Sequence, residues 1–505
     1  MSRHLAALPV VALAVACLAE RGPLVNRMAQ QNTTYLSRAA RQPVGWQPWG
    51  REAFALAARL DRPVLLYVGA ADCRWCDRMD RESYSDAGLG RLIDSLFVPI
   101  RVDRDERPDL ARRYQAAVQS LAGLRGYPLT LFLTPDGAAF FGGTYFPKDD
   151  PVTGRGLRQI LPEVARSYRD RRETVVQHAA LVRQLGVTRN VASHGVLQPE
   201  LVQHEVAAVR RQVEAALGAP ALPASFPHAQ AVSLLLQGYG RDADSVALRL
   251  ARAALRLIDS LDAVGAGTES SPDLVRALLL RNFTVAWALT GDPQFYGAGR
   301  GLVAALAGRL ADADRHPLFV DQEAYVLGAL IDAGPALGDS GVGLAALAAL
   351  ERLLDATYVQ GEGVRHGSGA SVQGLLLQDQ VQVAAACLAA YEVFDDPLYL
   401  YVAHDLTNVL DKYFADPQGG YFDAARVDPA APAMTDRTKQ VLDDVLPGAN
   451  AWAAGVLLRL ADFTGDPRYR ARGEATLAAF VGAVRGQGVR ATSYLAVARD
   501  ALARR

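Results

Sequence analysis

The sequence predicts two domains of different class: an α/β domain over residues 23–185 and an all-α domain over residues 199–505. Three observations carry this expectation. Short apolar runs alternate with amphipathic stretches in the first third of the chain, the pattern of a sheet built from strand–helix units. From Pro199 onward the strand patterns stop, and about twelve helical segments follow one another. The length, 505 residues, exceeds that of one ordinary domain.

Composition narrows the function classes. Apolar residues make up 50% and charged residues 21%, a globular balance and not a disordered one. The net charge is −1, from 53 Lys+Arg against 54 Asp+Glu, so no global basic field exists to hold nucleic acid. Four cysteines in 505 residues cannot form a disulfide scaffold. Lysine occurs only at Lys148, Lys412 and Lys439, so nearly all cationic charge is arginine, a bias from which no function follows.

Residues 1–22 read as a targeting segment. Arg3 and His4 precede an apolar run from Leu5 to about Ala19, shorter than the roughly 20 residues needed to span a bilayer and suited to a secretory signal. Ala14-Val15-Ala16 forms an A-x-A cleavage pattern that places Cys17 at the new N-terminus. Leu13 to Cys17 also looks like a bacterial lipoprotein signal, imperfect because its leucine stands four residues before the cysteine. The expectation is an exported chain, periplasmic or lipid-anchored at Cys17. The alternative is a short signal anchor, or a start codon placed ahead of a cytoplasmic protein.

The α/β elements follow in order. Gly50 to Leu60 reads as an amphipathic helix with Phe54, Ala57, Ala58 and Leu60 toward one side. Val64 to Val68 is a continuous apolar run, a strand buried on both faces. Gly69 to Asp72 is a loop into Cys73-Arg74-Trp75-Cys76, and a polar helical stretch continues to Leu96. Phe97 to Val102 is the second strand and Pro108 to Leu121 the next helix. Leu129 to Leu133, the turn Pro135-Asp136-Gly137 and Ala139 to Phe141 make a hairpin, and helix returns near Leu157. The order is βαβαββα.

A C-x-x-C between a buried strand and a helix is a redox arrangement. The helix N-terminus offers unpaired N–H groups and a positive dipole end, which stabilise a thiolate on Cys73, and Arg74 adds a cation beside it. Cys76, nearly one turn on, can attack a mixed disulfide at Cys73. Cys73 therefore takes the nucleophilic role and Cys76 the resolving role, with Trp75 between them. A zinc site would need two further ligands, and the sequence has no second C-x-x-C and no H-x₃₋₅-H. Two inert buried thiols are the other alternative. Neither a metal nor a cofactor is expected: the eight histidines lack ligand spacing, and no phosphate-binding glycine motif follows a strand.

The element order, the C-x-x-C and Tyr127-Pro128 before the third strand resemble a thioredoxin fold. That resemblance implies a cis proline at Pro128, facing the cysteine pair. A narrower set of motifs runs in order over about 120 residues: Asn26-Arg27-Met28-Ala29, Trp46-Gln47-Pro48-Trp49-Gly50, Cys73-Arg74-Trp75-Cys76, Arg81-Glu82-Ser83-Tyr84, Val102 to Asp109, Tyr127 to Gly137 and Phe141 to Pro147. Together they resemble the spermatogenesis-associated-protein-20-like family of thioredoxin-domain proteins. The family has histidine where Arg74 stands, so here a permanent cation replaces a titratable one.

Residues 186–198 read as a linker, and the helical segments begin at Pro199. They are expected at Pro199–Leu217, Pro227–Gly238, Asp242–Leu261, Pro272–Thr290, Pro293–Ala313, Val320–Ala333, Ser340–Tyr358, Gln373–Phe394, Pro397–Phe414, Gly448–Gly465, Pro467–Gly486 and Ala491–Arg505. Cys387 shares an apolar face with Val383, Leu388 and Tyr391 and reads as core. A weak repeat joins helices: Thr290-Gly291-Asp292-Pro293, Asp395-Asp396-Pro397 and Thr464-Gly465-Asp466-Pro467, each followed by an aromatic residue. In it the glycine ends a helix, aspartate caps the next, and proline takes the first position. Six hairpins can close into an α/α toroid, six-hairpin-like, which the family resemblance implies; an open array is the alternative.

The resemblance also marks Gln378-Asp379, and Lys439 with Asp443, Pro447 and Asn450. Asp379, Lys439, Asp443 and Asn450 are the candidate toroid site, with two carboxylates of the kind a glycosidase needs. The alternative has Asp379 as a polar helix residue and Asp443 as a cap. Ala224-Ser225-Phe226-Pro227 weakly resembles the family's Ala-Pro-Lys-Phe-Pro segment without its lysine, whereas the family's histidine-rich motifs are missing, and Asp262 to Thr268 and an ordinary helix hold their place. Trp46 and Trp49 are expected to pack against the first domain, and the charge run Asp103 to Asp109 to be a solvated turn. The first functional expectation is thiol–disulfide exchange with a protein or small-thiol partner, the helical half choosing that partner. The second is a carbohydrate-active or glycan-binding toroid with an accessory thioredoxin-like half. A third is a scaffold whose cysteine pair is vestigial.

Overall fold

The computed structural model describes residues 24–189, 193–219, 229–262, 272–310, 319–367, 374–444 and 446–504. The targeting segment with Cys17, Ala224 to Pro227, and Ala263 to Thr268 lie outside the described residues. Two compact units emerge: one runs to Gly186 and also takes in Asp428–Thr435, and the other holds Val187–Val427 and Asp436–Arg505.

The first unit is a mixed sheet with helices. Its elements are α1 (Thr34–Arg38), β1 (Gln47–Pro48), α2 (Arg51–Leu60), β2 (Val64–Gly69), α3 (Arg74–Met79), α4 (Ala87–Leu96), β3 (Val98–Asp103), α5 (Pro108–Ala122), β4 (Leu129–Leu133), β5 (Ala139–Gly143), α6 (Leu157–Asp170) and α7 (Arg172–Arg189). The strand order is β1-β3-β2-β4-β5. β3 runs parallel to both β1 and β2, and β4 runs antiparallel to β2 and β5. Every residue of β2, β3 and β4 is buried, as their continuous apolar runs require. The two-residue edge strand β1 is additional to the expected order.

Local chemistry sets the boundaries. Asp86 caps α4, its side chain accepting the Leu89 N–H at 2.7 Å. Pro108 opens α5 at a position where no N–H is needed, and Gly123, at φ +68°, closes it. The polar stretch after the cysteines is not one helix: a π turn over Asp80–Tyr84 separates α3 from α4. Asp428–Thr435, distant in sequence, completes this unit. Ala431 and Met434 join its core, Asp428 accepts from Trp49 Nε1 at 3.0 Å and pairs with Arg107, and the Ala433 N–H reaches the Asp136 carbonyl at 2.7 Å.

The second unit is helical, with α8 (Pro199–Leu217), α9 (Ala229–Asp242), α10 (Ser245–Asp262), α11 (Pro272–Thr290), α12 (Pro293–Leu310), α13 (Val320–Ala336), α14 (Ser340–Thr357), the hairpin β6 (Tyr358–Val359) and β7 (Gly363–Val364), α15 (Leu377–Phe394), α16 (Pro397–Val409), α17 (Ala449–Thr464), α18 (Pro467–Ala478), α19 (Val481–Val484) and α20 (Thr492–Ala503). Alternate helices α9, α11, α13, α15, α17 and α20 pack in succession, and α20 packs back on α9. The array is therefore a closed α/α toroid and not an open one. The inner helix α15 is buried at every position from Leu377 to Ala390, the expected state of a helix surrounded on all sides. Cys387 is a buried free cysteine, and burial pushes its thiol up to about 12. The Gly/Asp-Pro repeat acts as a helix joint: Asp292, Asp396 and Asp466 accept the N–H two residues on at 3.1, 2.9 and 2.9 Å. Two expected helices are interrupted. Pro397–Phe414 changes to a π turn at Leu410, and Pro467–Gly486 breaks between Ala478 and Val481.

Candidate functional site

Cys73 is the N-cap of α3, and its Sγ accepts the Cys76 N–H at 3.1 Å. The two cysteines are joined by a disulfide and both side chains are wholly buried. The register pairs Val68 with Leu129, so Pro128 lies beside Gly69 at the end of β2 from which the cysteine loop departs. The Tyr127–Pro128 peptide is cis. Gly69 has to be glycine: a Cβ there would lie 2.2 Å from the Tyr35 hydroxyl and 2.9 Å from Cys76 Sγ. Arg74 is exposed, 5.7 Å over the Trp75 ring, which packs on Tyr145 at 4.9 Å. Solvent screens a cation so placed, which weakens its field at the cysteine pair.

Around this motif lies a charged and aromatic framework that sequence reasoning missed. Arg101, wholly buried in β3, donates both arms to Asp80 at 2.7 Å and lies 4.1 Å over Tyr35 and 5.1 Å over Tyr67. Trp46 packs on Tyr67 and Tyr84, and Trp49 on Phe54 and Tyr114, so both tryptophans are packing residues. The run Asp103 to Asp109 is not a solvated turn. Asp103 and Arg104 are 4% and 3% exposed. Arg104 pairs with Asp72 at 3.0 Å and Asp105 at 2.8 Å, and Arg107 with Asp109 at 2.7 Å. A lone arginine inside Val98-Pro99-Ile100-Arg101-Val102, otherwise a doubly buried strand, was the available signal, because such a charge needs a buried partner.

Burial, with the Asp105 carboxylate alongside, pushes Asp103 up to about 7. The fold then keeps a proton that the unfolded chain has released. Between about pH 4 and pH 7 the folded state binds more protons, so this group makes stability fall as pH rises. The fall is at most about 1.4 kcal/mol per pH unit for one proton. Asp94, which burial raises to about 6, adds to the lower part of this window. Asp103→Asn is expected to flatten the fall, most clearly between Asp94's range and neutrality, measured as urea midpoints across that window. An unchanged slope would refute the assignment.

In the helical unit each of the four candidate residues is held by its own partners. Lys439 pairs with Asp416 at 2.5 Å and donates to the Gly419 carbonyl at 2.6 Å. Asn450 accepts from the Tyr421 N–H at 2.7 Å and donates to its carbonyl at 2.9 Å, so these two residues hold the same turn. Asp443 accepts from the Gly448 and Ser493 N–H groups at 3.0 and 2.9 Å, and burial pushes its carboxyl up to about 6. Asp379 meets His366 and Asp321. Among the described residues no hydrogen bond or ion pair joins Asp379 to Lys439, Asp443 or Asn450.

Fold and cysteine position together define a thioredoxin-like domain carrying a Cys-Arg-Trp-Cys pair, followed by an α/α toroid. Residues 25–185 match the family Thioredox_DsbH, described as a protein of unknown function, DUF255. Human spermatogenesis-associated protein 20 is 36% identical over 170 residues, which is 34% of this chain and 22% of that protein. An uncharacterised Caenorhabditis elegans protein is 36% identical over 181 residues, 36% of this chain and 23% of its own length. Residues 25–185 are thus similar to that family of thioredoxin-like domains, and the matched stretch spans about a fifth of these curated relatives. Among solved structures, the unsaturated glucuronyl hydrolase of Bacillus sp. GL1 aligns over 60% of this chain and 95% of its own, at 14% identity and a TM-score of 0.47. The Lin0763 protein of Listeria innocua aligns over 60% and 98%, at 11% identity and a TM-score of 0.45.

Proposed function

We propose that the chain performs thiol–disulfide exchange through Cys73 and Cys76, with a protein or small-thiol partner selected by the helical unit. The carrying observation is the N-cap position of Cys73, whose sulfur accepts the Cys76 N–H. That position lowers the cost of a thiolate. In the reducing direction the Cys73 thiolate attacks a partner disulfide. A Cys73–partner S–S bond forms, and the partner's own S–S bond breaks, releasing a thiolate that takes a proton. The Cys76 thiolate then attacks Cys73 Sγ, forming the intramolecular disulfide and expelling the partner as its second thiolate. Two electrons pass from the cysteine pair to the partner, and the oxidising direction is the reverse. Export of the chain would place the pair in an oxidising compartment.

Thiol labelling of the purified chain across glutathione buffers tests this reading. The expected result is one two-electron transition, with Cys73 alkylating well below the free-cysteine pKa of about 8.5. Cys76→Ser is expected to accumulate a mixed disulfide with glutathione, and Cys73→Ser to form none. If neither thiol reacts without denaturant, or the pair does not equilibrate with glutathione, the proposal fails. The alternative reading, a carbohydrate-active toroid, rests on the ring architecture, since Lys439, Asp443 and Asn450 are each engaged within the fold.

A further inference from the structure

Asp321, His366 and Asp379 meet inside the helical unit, and all three are buried. Asp321 lies in the first turn of α13 and Asp379 in the first turn of α15. His366 follows β7, whose Val364 is gripped by Gln380: the Gln380 side chain accepts its N–H at 2.8 Å and donates to its carbonyl at 2.7 Å. Phe319 stacks on the imidazole at 4.8 Å and 5°. The ring is thus held in place from two sides, with Nδ1 2.8 Å from Asp379 Oδ1 and 4.0 Å from Asp321 Oδ1.

Asp379 Oδ1 also accepts the Asp321 N–H at 3.1 Å, yet its Oδ2 is buried without a hydrogen-bond partner. On the same first turns of α15, Gln378 Oε1 and Gln382 Nε2 are likewise buried and unpartnered. Native folds leave few such atoms, because each costs about 1–3 kcal/mol and more when charged. Three together at one end of a buried helix point to a polar occupant.

We infer that Asp321, His366 and Asp379 bind one first-row divalent cation, Zn²⁺ or Mn²⁺, inside the toroid. Ligands at about 2.1 Å from such an ion stand roughly 3 Å apart when adjacent and 4.2 Å when opposed. The two measured separations from Nδ1, 2.8 and 4.0 Å, lie close to those limits, and the three ligand atoms stand within 4.8 Å of one another. An imidazole in the set favours a transition ion over Mg²⁺ or Ca²⁺. Two carboxylates and a neutral imidazole balance a 2+ charge, and Asp379 binding the ion through both oxygens would give Oδ2 the partner it lacks. It would also tie α13, α15 and the β6–β7 hairpin together, and it is independent of the cysteine chemistry.

The test uses the full chain, free of any affinity tag, with the Cys73–Cys76 disulfide kept oxidised so that thiols take no metal. After chelator stripping, Zn²⁺, Mn²⁺ and Mg²⁺ are titrated separately, with metal content and Tm as readouts. The expected result is one equivalent of Zn²⁺ or Mn²⁺, a raised Tm, and no response to Mg²⁺. Asp379→Asn and His366→Gln should lose both binding and Tm response. With Co²⁺ the wild-type chain should show ligand-field bands without a sulfur-to-metal charge-transfer band, a reading that does not depend on either variant folding. No ion bound by the wild-type chain, binding unchanged in the variants, or a sulfur band would overturn the inference. The trio would then be a hydrogen-bonded His–Asp pair with a neighbouring aspartate.

Discussion

Arg101→Ala is expected to destabilise the thioredoxin-like unit by about 3–5 kcal/mol, the cost of breaking a buried ion pair from one side. The guanidinium is wholly enclosed, makes two parallel bonds to Asp80, and fills the space between Tyr35 and Tyr67. Removing it leaves a carboxylate facing an aromatic pocket and a cavity where the stem had been. Asp80 keeps 21% of its side chain exposed, and water reaching that edge places the loss toward the lower end of the range. Arg101→Met keeps most of the volume and should cost less. Adding Asp80→Asn to it should recover part of the loss, since the unpaired charge is then gone. Urea unfolding followed by the fluorescence of Trp46, Trp49 and Trp75 measures this. A loss below about 1 kcal/mol for Arg101→Ala would mean that the pair is already satisfied by water.

Leu330→Ala in α13 is expected to cost the toroid about 3–5 kcal/mol. The side chain is wholly buried on an inner helix. Large-to-small changes in cores cost about 2–5 kcal/mol, the spread set by how far the site can collapse. α13 is flanked by α11 and α15 and backed by α14, and in a closed ring no inner helix can shift into a void without opening a gap against its other neighbour. That argues for the upper part of the range. Leu344→Ala on α14, where the leucine is 56% exposed, should stay within about 0.5 kcal/mol. Equal losses at the two positions would contradict the closed-ring packing.

Much of the fold was legible because local chemistry wrote it. The apolar runs at Val64, Val98 and Leu129 became buried strands, and the Asp-Pro joints became helix starts with the aspartate side chain on the N–H two residues on. Cys73 at a helix N-cap followed from its place between a strand and a polar helix. The π turns at Asp80–Tyr84 and Leu410–Phe414 were not legible, because they keep helical composition and change only the hydrogen-bond step. The charge run Asp103 to Asp109 misled for a different reason. Exposure is a property of what packs against a segment, and these arginines are enclosed by Asp72, Asp105, Asp109 and Asp428.

The sequence by itself determined the two fold classes, the order and approximate limits of their elements, and the cysteine pair at the start of α3. Those features depend on periodicity, capping and turn residues within a few positions of one another. Only the tertiary structure decided that the helical array closes through α20 on α9, that Asp428–Thr435 completes the first unit, and that Arg101 finds Asp80. It alone also brought Asp321 and His366 to Asp379, across 58 and 13 positions. Such meetings carry no local pattern, because they are set by how whole elements pack, and a buried charge reveals its partner only once both have left water.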